Sequence, residues 1–115
     1  MIFEYKSSVK NGVHCFLLFG ELIDKGQAMP MLDEIKAAVE KGDNKILLNL
    51  ADLKYLNSSG LNVLINILTI SRKADGDVAI CNVNKKINEL LLITKLNSVF
   101  NVCDSEEKAI AILKK

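Results

Sequence analysis

The sequence predicts a single α/β domain over residues 1–115, in which about four α-helices pack on a mixed β-sheet with an antiparallel N-terminal edge hairpin followed by parallel strands. Three observations predict this class. Two strand-like segments flank Asn11-Gly12, the strongest short signal for a hairpin turn. Beyond residue 42, apolar runs alternate with segments of helical periodicity, which favours parallel strands joined by right-handed crossovers. The length of 115 residues, half of them hydrophobic, suits one domain.

The N-terminal segment predicts the hairpin in detail. Residues 2–9 alternate between charged and apolar side chains, which is typical of an exposed edge strand. Residues 13–19 form an apolar second strand, antiparallel to the first. We expect Gly20-Glu21-Leu22 to end this strand and open a loop.

The next two elements are a helix and a buried strand. Leu32, Ile35 and Val39 fall at helical spacing and predict a helix over 28–41, with Gly42 as its stop. Pro30 is then expected in the first turn, because proline lacks an N–H and clashes deeper in a helix. The apolar run 45–50 predicts a central strand, and the polar segment 51–60 predicts a loop.

The second half continues the alternation of helices and strands. The spacing of Leu61, Leu64, Ile65 and Leu68 predicts an amphipathic helix to about Lys73. The remaining predicted elements are a turn at Asp75-Gly76, a strand at 78–81, a helix marked by Ile87, Leu90 and Leu91, a strand at 99–102, a capping box at 104–107, and a closing helix with Ala109, Ile112 and Leu113 on its apolar stripe.

Composition excludes several classes of function. The 15 Lys and Arg nearly balance the 14 Asp and Glu, so the concentrated basic face that nucleic acid requires is missing. Lys85-Lys86 and Lys114-Lys115 are isolated doublets that suit solvated surface. No apolar run approaches the roughly 18 residues of a membrane helix, and the first residues do not resemble a signal peptide. We therefore expect a cytoplasmic protein without membrane insertion.

The cysteines and acidic residues indicate neither a metal site nor a cofactor site. Cys15, Cys81 and Cys103 each lie in a strand-like apolar run, and their spacing matches no metal or redox motif. An odd number of cysteines without a CxxC pair predicts free, buried thiols in a reducing compartment. We expect no cofactor and no bound metal.

The segment from Leu56 to Leu61 is the candidate functional site. Ser58 or Ser59 can act as the N-cap of the following helix, where its hydroxyl accepts a hydrogen bond from a first-turn amide. The same helix start carries free N–H groups and a partial positive charge, which suit a phosphate. A phosphoserine there adds a charge of about −1.5 to −2 to the surface. The residues alone permit both interpretations.

A family resemblance favours phosphorylation. The stretch from Lys45 to Leu64 resembles the signature of the anti-anti-sigma factors of the STAS domain family, in which a buried strand runs into D-L-x-x-φ-x-D-S-S/T-G-L-x-V-L. The segment Leu17 to Leu22 is similar to the family's strand that ends in G-E-L. The order and lengths of the elements agree with the family over nearly the whole chain.

The resemblance implies a partner-switching mechanism. In this family the unphosphorylated protein binds an anti-sigma factor, usually a serine kinase, and so frees a sigma factor. The kinase phosphorylates the first serine of the pair and breaks the complex, and a PP2C-type phosphatase resets it. By position, the acceptor is Ser58, with Ser59 as the minor candidate. The expected partner-binding residues are Asp24, Tyr55, Asn57, Ser58, Ser59, Gly60 and Leu61.

Two positions depart from the family pattern. Asn57 stands where the family has Asp before the acceptor, so the shape is kept and the charge is lost. Ile23 intervenes between the G-E-L segment and Asp24, so Asp24 reaches the Ser58 segment only if the turn at 24–27 absorbs one residue. We expect a monomer, because Glu4 and Lys6 oppose pairing of the edge strand with another chain.

Two alternatives remain open. A STAS domain can act as a docking module in a transport or signalling assembly without phosphorylation, and Asn57 favours this reading. An enzyme with Ser58 as nucleophile needs a nearby base, usually histidine. The only histidine, His14, lies mid-strand, which suits a structural or edge position, so we expect no catalytic residues.

Overall fold

The computed structural model describes residues 2–114, which fold into one five-stranded sheet with helices on both faces. The elements are β1 (Phe3–Lys10), β2 (Val13–Leu22), α1 (Lys25–Glu40), β3 (Lys45–Leu56), α2 (Ser58–Lys73), β4 (Asp77–Cys81), α3 (Lys85–Ile93), a 3-10 turn (Leu96–Ser98), β5 (Asn101–Cys103) and α4 (Glu106–Leu113). The strands are ordered β1-β2-β3-β4-β5. Among the pairs that these described strands form, only β1–β2 is antiparallel, which confirms the predicted mixed sheet.

The hairpin has the predicted two-residue turn. Lys10 pairs with Val13, and Asn11 and Gly12 between them have φ angles of 52° and 79°. Positive φ at both central residues gives the turn the twist of the flanking strands. Among the described strands β1 pairs only with β2, so the predicted edge strand is confirmed.

Strand alternation divides the core into two clusters on opposite faces of the sheet. In β3, Ile46 and Leu48 face the larger cluster, whereas Leu47 faces the smaller one. Helices α1, α2 and α3 cover the larger cluster, because successive right-handed crossovers in one direction place their helices on the same face. Helix α4 covers the smaller cluster with Ala109 and Leu113.

Two strands extend beyond their predicted ends. Strand β2 continues to Leu22, so the expected loop at 20–22 is wrong, and β3 continues to Leu56, so the expected loop at 51–60 is also wrong. The β2–β3 pairing shifts register between Leu17 and Phe19 and again between Gly20 and Glu21. At each shift β3 contributes an additional residue, as in a β-bulge.

Helix α1 begins three residues before the predicted start. Asp24 is its N-cap, and Gln27 Oε1 accepts hydrogen bonds from the N–H groups of Ile23 and Asp24 at 2.9 and 3.1 Å. Pro30 therefore lies in the second turn, not the first. Because proline has no N–H, the carbonyl of Gly26 has no intrahelical donor there.

The C-terminal elements also differ from expectation. Strand β5 spans 101–103 instead of 99–102, because the unpredicted 3-10 turn shifts it along the chain. The predicted capping box at 104–107 is wrong, since the N-cap is Ser105, whose Oγ accepts from the Lys108 N–H at 3.2 Å. Ile112, expected on the apolar stripe, is 39% exposed.

The prediction that the three cysteines are free and buried is confirmed. Cys15, Cys81 and Cys103 are free and buried, and all three belong to the smaller cluster beneath α4. Burial raises the pKa of the Cys81 thiol to about 12. Within residues 2–114, every helix is too short or too polar to cross a bilayer.

Candidate functional site

The candidate site is the junction at which β3 passes into α2 through one residue, Asn57. The side-chain Oδ1 of Asn57 accepts a hydrogen bond from the Gly60 N–H at 3.0 Å, so Asn57 is the N-cap of α2. The expectation that Ser58 or Ser59 provides this cap is wrong. Both hydroxyls are consequently free of the capping role.

Asn57 also ties the start of α2 to the segment before α1. Its Nδ2 donates to the Ile23 carbonyl at 3.0 Å, and its backbone N–H donates to the Leu22 carbonyl at 3.4 Å. An aspartate can make the cap, but its carboxylate cannot donate the bond to Ile23. The amide side chain at this position therefore has a structural role that the family's usual residue cannot fill.

Ser58 is the first residue of α2 and its side chain is exposed, as is that of Ser59. The first intrahelical backbone bond runs from the Leu61 N–H to the Asn57 carbonyl at 2.8 Å. The amides of Ser58 and Ser59 precede this bond and remain available at the positive end of the helix dipole. This geometry suits an anionic group attached to, or bound beside, Ser58.

Gly60 and Leu61 lie beneath this surface. A Cβ at Gly60 would stand 2.2 Å from the Leu22 carbonyl oxygen, and Leu61 is 7% exposed. The absence of a side chain at position 60 lets α2 approach β2 at this point. These two residues fix the position of Ser58. Because they are buried, a partner contacts the exposed Ser58 and Ser59 first.

An open cleft of about 290 Å³ borders Ser58. It is lined by Tyr55, Leu56, Asn57, Ser58, Lys86, Ile87 and Leu90. Tyr55 is 46% exposed, so its side chain is accessible from solvent. The cleft gives the site an apolar floor with polar groups at its rim.

The sequence pattern alone does not predict the residues that α3 contributes to this cleft. Asn84, the N-cap of α3, donates from Nδ2 to the Leu53 carbonyl of β3 at 3.1 Å, which fixes the start of α3 beside the end of β3. The parallel order of β3 and β4 could have revealed this, because the carboxyl ends of adjacent parallel strands share one edge of the sheet. Lys86, expected on solvated surface as part of a doublet, therefore lines the same cleft as Ser58.

Asp24 lies at the same edge of the sheet but does not line the cleft. It is exposed at the N-cap of α1. The extra residue before it, Ile23, is not absorbed in a turn, since its carbonyl accepts the bond from Asn57. Asp24 is therefore adjacent in sequence to Ile23, which is hydrogen-bonded to Asn57 in the Ser58 segment.

His14 is far from Ser58. It pairs with Ile46 at the start of β3, whereas Ser58 follows the end of that strand, so nearly the whole length of β3 separates the two residues. Its ring stacks on Phe16 with centroids 4.6 Å apart, and its Nε2 lies 3.3 Å from Glu34 Oε2. His14 has a structural position in β2 between β1 and β3, and it cannot act as a base for Ser58.

Comparison with known proteins shows which family and which relatives this chain is similar to. A family model described as the STAS domain matches residues 5–109. The chain is 28% identical over 103 residues to the anti-sigma F factor antagonist of Paenibacillus polymyxa, an alignment that covers 90% of this chain and 88% of that protein.

Solved structures share the fold. The NMR structure of the protein TM1081 has a TM-score of 0.86 and 24% identity, and the match covers 97% of this chain and 90% of that chain. The unphosphorylated form of the anti-sigma factor antagonist SpoIIAA has a TM-score of 0.76 and 19% identity, and the match covers 96% of this chain and 98% of that chain.

Proposed function

The chain belongs to the STAS domain family of anti-sigma factor antagonists, and we propose that its unphosphorylated form binds an anti-sigma factor and so releases a sigma factor. In this proposal the anti-sigma factor is a serine kinase that phosphorylates Ser58, with Ser59 as the minor acceptor. A PP2C-type phosphatase removes the phosphate. The exchange takes place in the cytoplasm, and ATP and its metal ion belong to the kinase.

One observation carries the proposal: the hydroxyl of Ser58 is exposed at the first position of α2, beside an open cleft. A kinase can reach this hydroxyl without unfolding the chain. The attached phosphate meets the free amides of the first helical turn, an interaction worth about 0.3–1 kcal/mol at an exposed helix start. The fold therefore tolerates both forms.

The same phosphate opposes a bound partner. A surface that covers Tyr55 and Ser58 must either supply cations to the phosphate or bury it without a partner. An unpaired charge in an interface costs on the order of 2–5 kcal/mol. Because 1.4 kcal/mol is tenfold in affinity, the complex weakens roughly 30-fold or more.

The experiment is phosphorylation by the cognate anti-sigma factor with ATP, followed by peptide mass spectrometry. We expect the phosphate on Ser58 in the wild type and its loss in Ser58→Ala, with Ser59→Ala as the matched control that retains it. Phosphate at another residue, or none, contradicts the proposal. Binding of the two forms to the anti-sigma factor is then compared by calorimetry.

A second function is favoured by Asn57, which stands where the family has an acidic residue before the acceptor serine. Its side chain donates a hydrogen bond to the Ile23 carbonyl. In this alternative the chain is a docking module in a transport or signalling assembly, without phosphorylation. Ser58→Asp distinguishes the two. Loss of partner binding by a folded variant supports the switch, and unchanged binding supports the docking module.

A further inference from the structure

Lys86 lines the α3 side of the cleft that borders Ser58. One wall of the cleft comes from the end of β3 and the start of α2, and α3 provides the other with Lys86, Ile87 and Leu90. Among the described residues that line the cleft, Lys86 carries the only formal charge. Its side chain is exposed and ends in an ammonium group on a flexible four-carbon stem, so it can reach a group at the rim.

The Lys86 ammonium has no carboxylate partner within the described chain. The ion pairs among residues 2–114 use other cations, which are Lys10, His14, Arg72 and Lys108. Glu89, one turn later on the same helix, is therefore not paired with Lys86. The charge of Lys86 is thus available to an anion that enters the cleft.

The position of Lys86 also works against the stability of α3. Asn84 caps this helix by accepting a hydrogen bond from the Ile87 N–H at 2.8 Å, and Lys85 and Lys86 are its first two residues. The first turn of α3 contains no acidic residue, although the positive end of a helix dipole favours anions and disfavours cations. A cation at position 86 is therefore disfavoured in the free helix, and an anion held beside it would offset that repulsion.

We propose that Lys86 is the cation that binds the phosphate of phosphorylated Ser58, an inference that rests on the proposed function. A phosphoserine has three strong acceptor oxygens, so it can accept hydrogen bonds from the free amides at the start of α2 and from the Lys86 ammonium together. The pair joins α2 to α3 across the cleft that Tyr55 also lines. Phosphorylation then closes this cleft to a partner as well as adding charge to it.

Lys85 is the matched control for Lys86. It has the same charge and belongs to the same doublet, but it lines a separate depression, together with Asn82, Asn88 and Asp104. An effect of net charge at the start of α3 would act through both lysines. A direct contact with the phosphate acts through Lys86 alone.

The experiment measures the pKa of the phosphate by phosphorus NMR titration of the full chain, with phosphoserine incorporated at position 58 by genetic encoding. The second pKa of a phosphoserine is about 6, and an adjacent cation lowers it. Lys86→Met should raise this pKa by about 0.5 pH unit at low salt, as the Coulomb energy of an exposed pair implies. Lys86→Arg should keep the wild-type value, as should Lys85→Met. The difference should disappear in about 1 M salt, because salt screens an exposed pair.

Circular dichroism checks the fold of each variant, and Lys86→Gln replaces Lys86→Met if the latter does not fold. An equal phosphate pKa in the wild type and Lys86→Met, or an equal rise in Lys85→Met, would overturn the proposal. The titration uses no kinase, so a negative result here leaves the phosphorylation of Ser58 untouched. A failed kinase reaction, in turn, refutes the switch and not the contact with Lys86.

Discussion

Replacing Asn57 by alanine should destabilise the domain, because the Asn57 side chain joins the start of α2 to the segment before α1. The wild-type side chain makes two hydrogen bonds, one to the Gly60 N–H and one to the Ile23 carbonyl, both at 3.0 Å. Alanine removes both bonds and leaves the Ile23 carbonyl without that donor. The backbone of β3 and α2 needs no change to accommodate it.

The magnitude follows from the two bonds. Loss of an N-cap side chain costs about 1 kcal/mol, and loss of one further part-buried hydrogen bond costs about 1 kcal/mol. The free energy of unfolding should therefore fall by about 2 kcal/mol. With an entropy of unfolding of about 2.1 cal/mol/K per residue, Tm should fall by roughly 8 °C.

Asn57→Asp separates the two bonds. Aspartate keeps the acceptor for the Gly60 N–H, loses the donor to Ile23, and gains about 0.3–1 kcal/mol from its charge at the helix start. Its net cost should be about 0.5 kcal/mol, which places it between the wild type and Asn57→Ala in stability.

Urea unfolding followed by circular dichroism measures this order. Asn62→Ala, an exposed change within α2, is the control and should be neutral or slightly stabilising, because alanine has the higher helix propensity. The reasoning is refuted if Asn57→Ala unfolds at the wild-type urea concentration. It is also refuted if Asn57→Asp exceeds the wild type in stability, since the bond to Ile23 would then contribute nothing.

Three further predictions concern other parts of the fold. Gly60→Ala places a Cβ 2.2 Å from the Leu22 carbonyl oxygen. The free energy of unfolding should therefore fall by about 1–3 kcal/mol, although alanine has the better helix propensity. A Tm equal to that of the wild type would contradict the close approach of α2 to β2. A hydrogen bond from Lys10 lowers the pKa of Glu106 in the folded protein. The ionised Glu106 therefore contributes stability above its unfolded pKa near 4.5, and this contribution is lost as pH falls through the folded pKa. The difference in unfolding free energy between the wild type and Glu106→Gln should shrink on acidification, and a difference that stays constant with pH would refute this prediction. Burial raises the pKa of the Cys81 thiol to about 12. A thiol reagent at neutral pH should therefore label Cys81 in urea but not in buffer. Labelling in buffer at the rate of free cysteine would contradict the buried position.

The sequence predicted the element types well and their boundaries less well, for a reason visible in β3. Leu50, Leu53 and Leu56 are all buried although they are three residues apart, because the register shifts against β2 interrupt the usual alternation. A period of three is typical of neither a strand nor a helix, and the polar residues between these leucines favour a loop. Bulges depend on the neighbouring strand and cannot be derived from one segment alone.

The site was located correctly in sequence but incompletely in space. The Ser58 segment stood out because small polar residues separate a buried strand from an amphipathic helix. The bond between Asn57 and Ile23 and the cleft residues from α3 did not, because they depend on contacts between distant segments: Ile23 with Asn57, and Asn84 with Leu53. Such contacts require the strand order and the registers.

The unequal covering of the two sheet faces has a consequence for the dynamics of the domain. Three helices share the larger cluster, whereas α4 alone covers the smaller one and buries Ala109 and Leu113 there. Detaching α4 exposes far less apolar surface than global unfolding does, so its amide protons should exchange with solvent through a cheaper, local opening. Each such opening briefly uncovers the thiols beneath it, and an oxidising environment would therefore attack this protein first from the side opposite α1 and α2.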